Sequence, residues 1–78
     1  MYYVYILETL EKAHWYVGMT NDLRRRMEEH NEGRSTHTNK FRPWSLKTYI
    51  AFSDKKKAEG FENYLKSHSG RAFSKKYL

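Results

Sequence analysis

Apolar positions in this chain follow two different periods, and the switches between them mark the elements. Tyr2 to Leu7 (YYVYIL) is an unbroken aromatic and β-branched run, which predicts a buried strand. The polar residues Glu8 to Ala13 predict a connecting turn, and Trp15 to Met19 (WYVGM) a second strand pairing back on the first. Thr20, Asn21 and Asp22 are helix-capping residue types, so a helix is expected from there to about residue 32, stopped by Gly33. The polar stretch Arg34 to Trp44, with Pro43 near its end, predicts a long loop and a candidate binding segment. In Leu46 to Phe52 the pattern alternates. Leu46, Thr48, Ile50 and Phe52 are expected on one face of a third strand, with Lys47, Tyr49 and Ala51 on the other. Ser53 or Asp54 is placed to cap a second helix running to about Ser67, with Gly60 inside it. The tail from His68 is expected to break at Gly70 and to dock a short turn or helix through Ala72, Phe73 and Tyr77. The order β-β-α-β-α with a short C-terminal helix implies one α+β domain over residues 1–78, a small mixed sheet flanked by helices.

Placed on a helical wheel, Leu23 and Met27 form the buried stripe of the first helix and Arg25 points away from it. Arg26 and His30 lie one turn apart at the stripe's edge. Helical geometry alone favours reading Arg26 as an arginine snorkelling over the core edge and His30 as a satisfied boundary histidine, over a functional pair. In the second helix Ala58, Phe61 and Leu65 form the stripe, Glu59 lies away from it, and Glu62 sits on its shoulder. A partly desolvated carboxylate there either pairs with Lys66 at i+4 or serves a hard cation. Tyr5 and Tyr16 read as core tyrosines whose hydroxyls need partners, and Gly18 marks a bend or a close backbone approach.

Composition changes the picture in three ways. Seven Tyr, four Phe and two Trp provide core area that 38% apolar content would not suggest by itself. The absence of Cys removes disulfides and thiolate metal sites. No apolar run approaches a membrane span, and the opening Met1-Tyr2-Tyr3 lacks the basic-then-apolar form of a signal peptide, so a cytoplasmic location is expected. The net charge of +6 is concentrated in the last two-thirds of the chain, which favours a polyanionic partner.

Read together, these residues resemble a known pattern. Val4-Tyr5-Ile6 followed by Tyr16-Val17-Gly18 resembles the paired tripeptides that name the GIY-YIG nuclease superfamily. The helix carrying Arg26 and His30 resembles that family's next motif, and Glu62 before Tyr64-Leu65-Lys66 resembles its late helical glutamate. Pro43-Trp44 and the segment Leu65 to Phe73 resemble small stand-alone members, similar to the catalytic domain of the excinuclease C subunit. Two positions depart from the pattern: Tyr3 stands where the family has glycine, and Met19 where some members have lysine.

The resemblance implies a three-stranded, mostly antiparallel sheet flanked by helices. It implies a metal-dependent DNA endonuclease of repair or recombination, with Tyr5, Tyr16, Arg26, His30 and Glu62 at catalytic positions and one Mg²⁺ or Mn²⁺ on Glu62. In that scheme Tyr16 takes a proton from the attacking water and Arg26 stabilises phosphoryl charge. His30 orients Tyr16 or the water, or assists proton transfer, and Tyr5 contacts the phosphate or fixes Tyr16. Lys40, Arg42, Lys66 and Arg71 are the expected DNA contacts, and RNA would satisfy the same charge. The expected assembly is a monomer or weak dimer, with a protein partner as a source of specificity. The rival expectations are a nucleic-acid-binding module that has lost cleavage and an accessory domain of a larger repair assembly.

Overall fold

The computed structural model covers residues 1–78. Strand β1 (Tyr2–Thr9) is central, with β2 (Trp15–Thr20) on one side and β3 (Trp44–Phe52) on the other. Both pairings are antiparallel. Helix α1 is Leu23–Asn31, α2 is Lys55–Lys66 and α3 is His68–Tyr77. The central place of β1 explains its continuous apolar run, because both of its faces are covered. Val4 and Ile6 pack with Val17, Ala58 and Leu65 on the face of α2 and α3. Tyr5 and Leu7 pack with Trp44, and with Leu23 and Met27 of α1, on the other.

The capping residues act as their types predict. Asp22 Oδ1 accepts from the Arg25 amide at 3.1 Å, and Asp54 Oδ1 from the amides of Lys56 and Lys57 at 2.9 and 3.3 Å. Gly33 ends α1 at φ 79°, with its amide donating to the His30 carbonyl and the Arg34 amide to the Glu29 carbonyl. That is a Schellman closure, which a glycine at this position makes without strain.

Three expectations need correction. First, Leu46 does not share a face with Thr48, Ile50 and Phe52. Thr48 pairs with Ile6 but Leu46 pairs with Leu7, so the register slips by one residue at Lys47. The bulge reverses the alternation, and β3 starts earlier, at Trp44, which it delivers buried onto the α1 face. Second, the segment 34–43 is not simply an outward polar loop: Ser35 and Thr38 are buried, and a 3₁₀ turn spans Asn39–Phe41.

Third, Gly70 does not break the tail. It lies in the first turn of a ten-residue α3. Ser67 both ends α2, its amide donating to the Tyr64 carbonyl at 3.0 Å, and caps α3, its Oγ accepting from the Gly70 amide at 3.1 Å. A Cβ on residue 70 would stand 2.6 Å from Leu65 Cα and against the Tyr64 carbonyl, so glycine is required by the closeness of the two helices. Phe73 packs on the core as expected, whereas Ala72 and Tyr77 are exposed.

Two glycines therefore carry opposite expectations. Gly60 is exposed with open space around its Cβ position. Gly60→Ala is expected to stabilise the fold by about 0.5–1 kcal/mol, and Gly70→Ala to destabilise it by about 1–3 kcal/mol. Urea denaturation midpoints check both.

Candidate active site

Residue 18 sits opposite Tyr5 in the β1–β2 ladder. Because it has no side chain, the Tyr5 phenol extends across the space a Cβ would fill, only 2.5 Å from Tyr5 Cζ. The ring passes toward α1, where its hydroxyl meets His30 Nε2 at 2.8 Å. His30 Nδ1 is 2.6 Å from Thr38 Oγ1, and the Thr38 carbonyl accepts from Trp44 Nε1 at 2.8 Å. Tyr5, His30 and Thr38 are all essentially without solvent exposure. The buried row Tyr5–His30–Thr38–Trp44 thus joins β1, α1, the 34–43 segment and β3.

Charge decides how this row is protonated. Burial raises the Tyr5 pKa to about 12, with the charges of Tyr16 and Glu62 adding and the Arg26 guanidinium opposing. Burial, with Arg26 nearby, pushes His30 down to about 4. Both groups are neutral at pH 7. Arg26 can only donate toward the Tyr5 oxygen, so the Tyr5 hydroxyl hydrogen is left to donate to His30 Nε2. The proton of the neutral imidazole then sits on Nδ1 and donates to Thr38. A histidine charged in the unfolded chain but neutral in the folded one binds more protons when unfolded. Its contribution is present above about pH 6.5 and lost as the pH falls toward 4. Unfolding free energy is expected to decline across that window, and the decline to flatten in His30→Gln, in urea titrations at successive pH values.

Tyr16 follows from β2 onto the same face. Its ring centroid is 5.1 Å from His30, edge to face, and 6.4 and 6.5 Å from Tyr5 and Trp44. Arg26 approaches from α1, its Nη1 donating to Glu29 Oε1 at 2.9 Å. Burial works against its charge, but the oxygens of Glu29 and Tyr5 outweigh it and raise its pKa; the charge of Tyr16 acts in the same direction. Glu29 is correspondingly held below the usual carboxylate range by Arg26. Glu62 comes from α2 with its side chain 20% exposed, paired with Lys66 Nζ at 3.1 Å and close enough to raise Tyr5.

Four of the five residues expected at catalytic positions, Tyr5, Tyr16, Arg26 and His30, are therefore drawn from three elements to one face of the sheet, and Glu62 of α2 acts on Tyr5 through its charge. The four expected DNA contacts are not brought together. Lys66 is engaged by Glu62. Lys40 lies over the Phe41 ring at 5.7 Å, and Arg42 against Gly33 at the end of α1. Arg71 stacks on Trp15 at 5.0 Å, on α3.

Four residues that support the site were given no part in it by the sequence. Glu29, three residues after Arg26, was available from helical spacing. Thr38 and Trp44 had no local signal, because their partners are brought by the fold. Asn31 likewise clamps the start of β3, its Oδ1 accepting from the Trp44 amide at 2.6 Å and its Nδ2 donating to the Trp44 carbonyl at 3.0 Å.

Residues 1–77 match the model of the GIY-YIG catalytic domain. A UPF0213 protein of Streptococcus pyogenes serotype M3 is 34% identical over 77 residues, covering 97% of this chain and 83% of its own length. A UPF0213 protein of serotype M1 matches to the same extent. Among solved structures, the solution NMR structure of a UPF0213 protein from Bacillus halodurans superposes with a TM-score of 0.58 at 35% identity, covering 96% of this chain and 81% of that one. No helix of the molecule is long and apolar enough to cross a membrane.

Proposed function

The chain belongs to the GIY-YIG catalytic domain family, a nuclease superfamily, and on that premise we propose that it is a DNA endonuclease using one divalent cation, Mg²⁺ or Mn²⁺, in cytoplasmic DNA repair or recombination. The observation that best supports this reading is the convergence of two phenols and a guanidinium around the buried His30, with the Glu62 carboxylate near enough to act on Tyr5.

Each group has a chemical task. Arg26, held on Glu29, presents a fixed cation to the phosphoryl oxygens. Tyr16 takes the proton of the attacking water. The Arg26 guanidinium acts on the Tyr16 oxygen, so a fixed cation faces the oxygen that receives the proton. His30 bonds to Tyr5 rather than to Tyr16, and both its nitrogens are occupied. Its role is therefore to position Tyr5. Tyr5 is buried, neutral and held between His30 and Arg26. That arrangement favours fixing the Arg26–Tyr16 pair over direct contact with phosphate.

Glu62 would hold the implied metal. A single hard oxygen donor suits Mg²⁺, which keeps most of its water shell and takes one or two carboxylates. When bound, the cation supplies Lewis-acid polarisation of the phosphate.

One observation favours the reading of a binding module without cleavage: Lys66 already neutralises the Glu62 carboxylate. Incubation with supercoiled plasmid and with a flapped duplex, in Mg²⁺, Mn²⁺ or EDTA, separates the two. Nicking or flap removal that requires the metal is expected. DNA retention with no cleavage under any of these conditions would establish the binding module instead.

A further inference from the structure

Behind the sheet from Tyr5 and His30, at the β1–β2 hairpin end, lies a cavity of about 250 Å³. Lys12 and Trp15 of the hairpin, Lys47 of β3, and Arg71, Ser74 and Lys75 of α3 supply its walls. Three separate parts of the chain thus bring four cations to one hollow, against the single carboxylate of Glu8. None of the four is in an ion pair; the arginines and lysine that are paired are Arg25, Arg26, Arg34 and Lys66. Gathered like charges that outnumber the one carboxylate beside them repel one another and raise the local potential for an anion.

Two features point to a site rather than a solvated surface. Arg71 is stacked on Trp15, which fixes its planar fork before any ligand arrives. Ser74 has no exposed surface, and its Oγ is the molecule's one buried side-chain polar atom without a hydrogen-bond partner. A buried hydroxyl left unpaired costs free energy that an anionic oxygen beside it would recover. The β3 bulge has a use here as well, since Lys47 is the extra residue that it inserts.

We propose that this cavity holds a backbone phosphate of the nucleic acid, distinct from the phosphate at the Tyr16 side. Trp15 and Tyr16 are successive residues of the edge strand and face opposite sides of the sheet. A strand whose scissile phosphate lies at Tyr16 passes beside this cavity as it rounds that edge. The identity of the ligand as a polynucleotide rests on the endonuclease reading; the anion chemistry does not.

The test uses the full chain in EDTA, so that binding is read without cleavage. A short DNA duplex and, separately, inorganic phosphate are titrated against amide NMR spectra of the wild type and of Lys47→Ala/Lys75→Ala. Both replaced side chains are exposed, and the spectra themselves report the fold. DNA is expected to shift the amides of residues 12–15, 47 and 71–75. The slope of log affinity against log salt is expected to be shallower by about 1 for each phosphate that the double variant no longer neutralises. Ser74→Ala is expected to raise the denaturation midpoint while weakening DNA binding, opposite signs that a merely structural serine would not give. Shifts confined to the β2 edge and α1, or an unchanged slope, would overturn the proposal. Phosphate moving the cavity amides while DNA leaves them still would also overturn it, by assigning the cavity to a small phosphorylated ligand. Because cleavage in Mg²⁺ is scored separately, loss of the endonuclease reading and loss of this one give different results.

Discussion

Glu62→Gln is expected to lower cleavage by at least about 10³-fold, with DNA affinity unchanged or slightly tighter. The substitution keeps the size of the side chain and removes the charge a divalent cation needs, and Lewis-acid stabilisation of that kind contributes several kcal/mol to the barrier. Removing a carboxylate from a basic surface does not weaken attraction to DNA, and it releases Lys66, now 3.1 Å from Glu62. Arg26→Ala should act on the same step by another route, lowering kcat by about 10²–10³-fold, the usual effect of deleting one preorganised donor. Single-turnover cleavage measured beside affinity in EDTA separates the two quantities. Equal losses of rate and affinity in Arg26→Ala would make that residue a phosphate anchor. Full activity in Glu62→Gln would remove the metal assignment.

Gly18→Ala is expected to be the most damaging single change to the site's architecture. One methyl group would stand 2.5 Å from Tyr5 Cζ and 3.0 Å from a Tyr16 ring carbon. The phenol cannot retreat, because Tyr5 is enclosed by β1, β2 and α1 and its hydroxyl is committed to His30. Overpacking of this kind costs about 1–3 kcal/mol. Displacing the hydroxyl also leaves His30 Nε2 buried and unpaired, adding about 1–3 kcal/mol. For a domain of this size, a total near 3 kcal/mol corresponds to a fall in Tm of roughly 12–24 °C. Cleavage should be lost in the folded fraction too, since the same displacement moves Tyr16. Tyr5→Phe is the informative companion: it removes the hydroxyl but keeps the ring, so it should disturb activity with a smaller loss of Tm. Thermal melts followed by tyrosine absorbance, with cleavage assayed well below the midpoint, measure both.

These expectations differ in how far the linear chain could support them. The strands, the caps at Asp22 and Asp54 and the stripes Leu23–Met27 and Ala58–Leu65 are local. They follow from alternation, from helical periodicity and from side chains that bond to amides two or three residues away. The five residues expected at catalytic positions were legible because their identity and order match a family pattern. Their chemistry was not. The wheel put His30 at the edge of a stripe, whereas the fold buries it completely. Its partners are Tyr5, 25 residues earlier, and Thr38, eight residues later.

Tertiary structure alone settled four further matters. Gly70 looks like a helix breaker in isolation, yet the closeness of α3 to the end of α2 requires the missing side chain. The alternation in β3 is continuous in sequence, yet pairing with β1 inserts a bulge at Lys47 that carries Leu46 and Trp44 to the other face. The polar segment 34–43 reads as a loop for solvent, yet Thr38 turns inward because a buried imidazole needs a second hydrogen-bond partner. The basic residues read as one diffuse excess, yet the fold divides them among Glu29, Glu62, the end of α1 and an unneutralised cavity on the far face. Sequence by itself determined the periods, the caps and the set of reactive groups, because those depend on neighbours along the chain. Which groups are desolvated, which are paired and which remain free depends on neighbours in space, and burial and charge at those positions decide what the molecule can bind and cut.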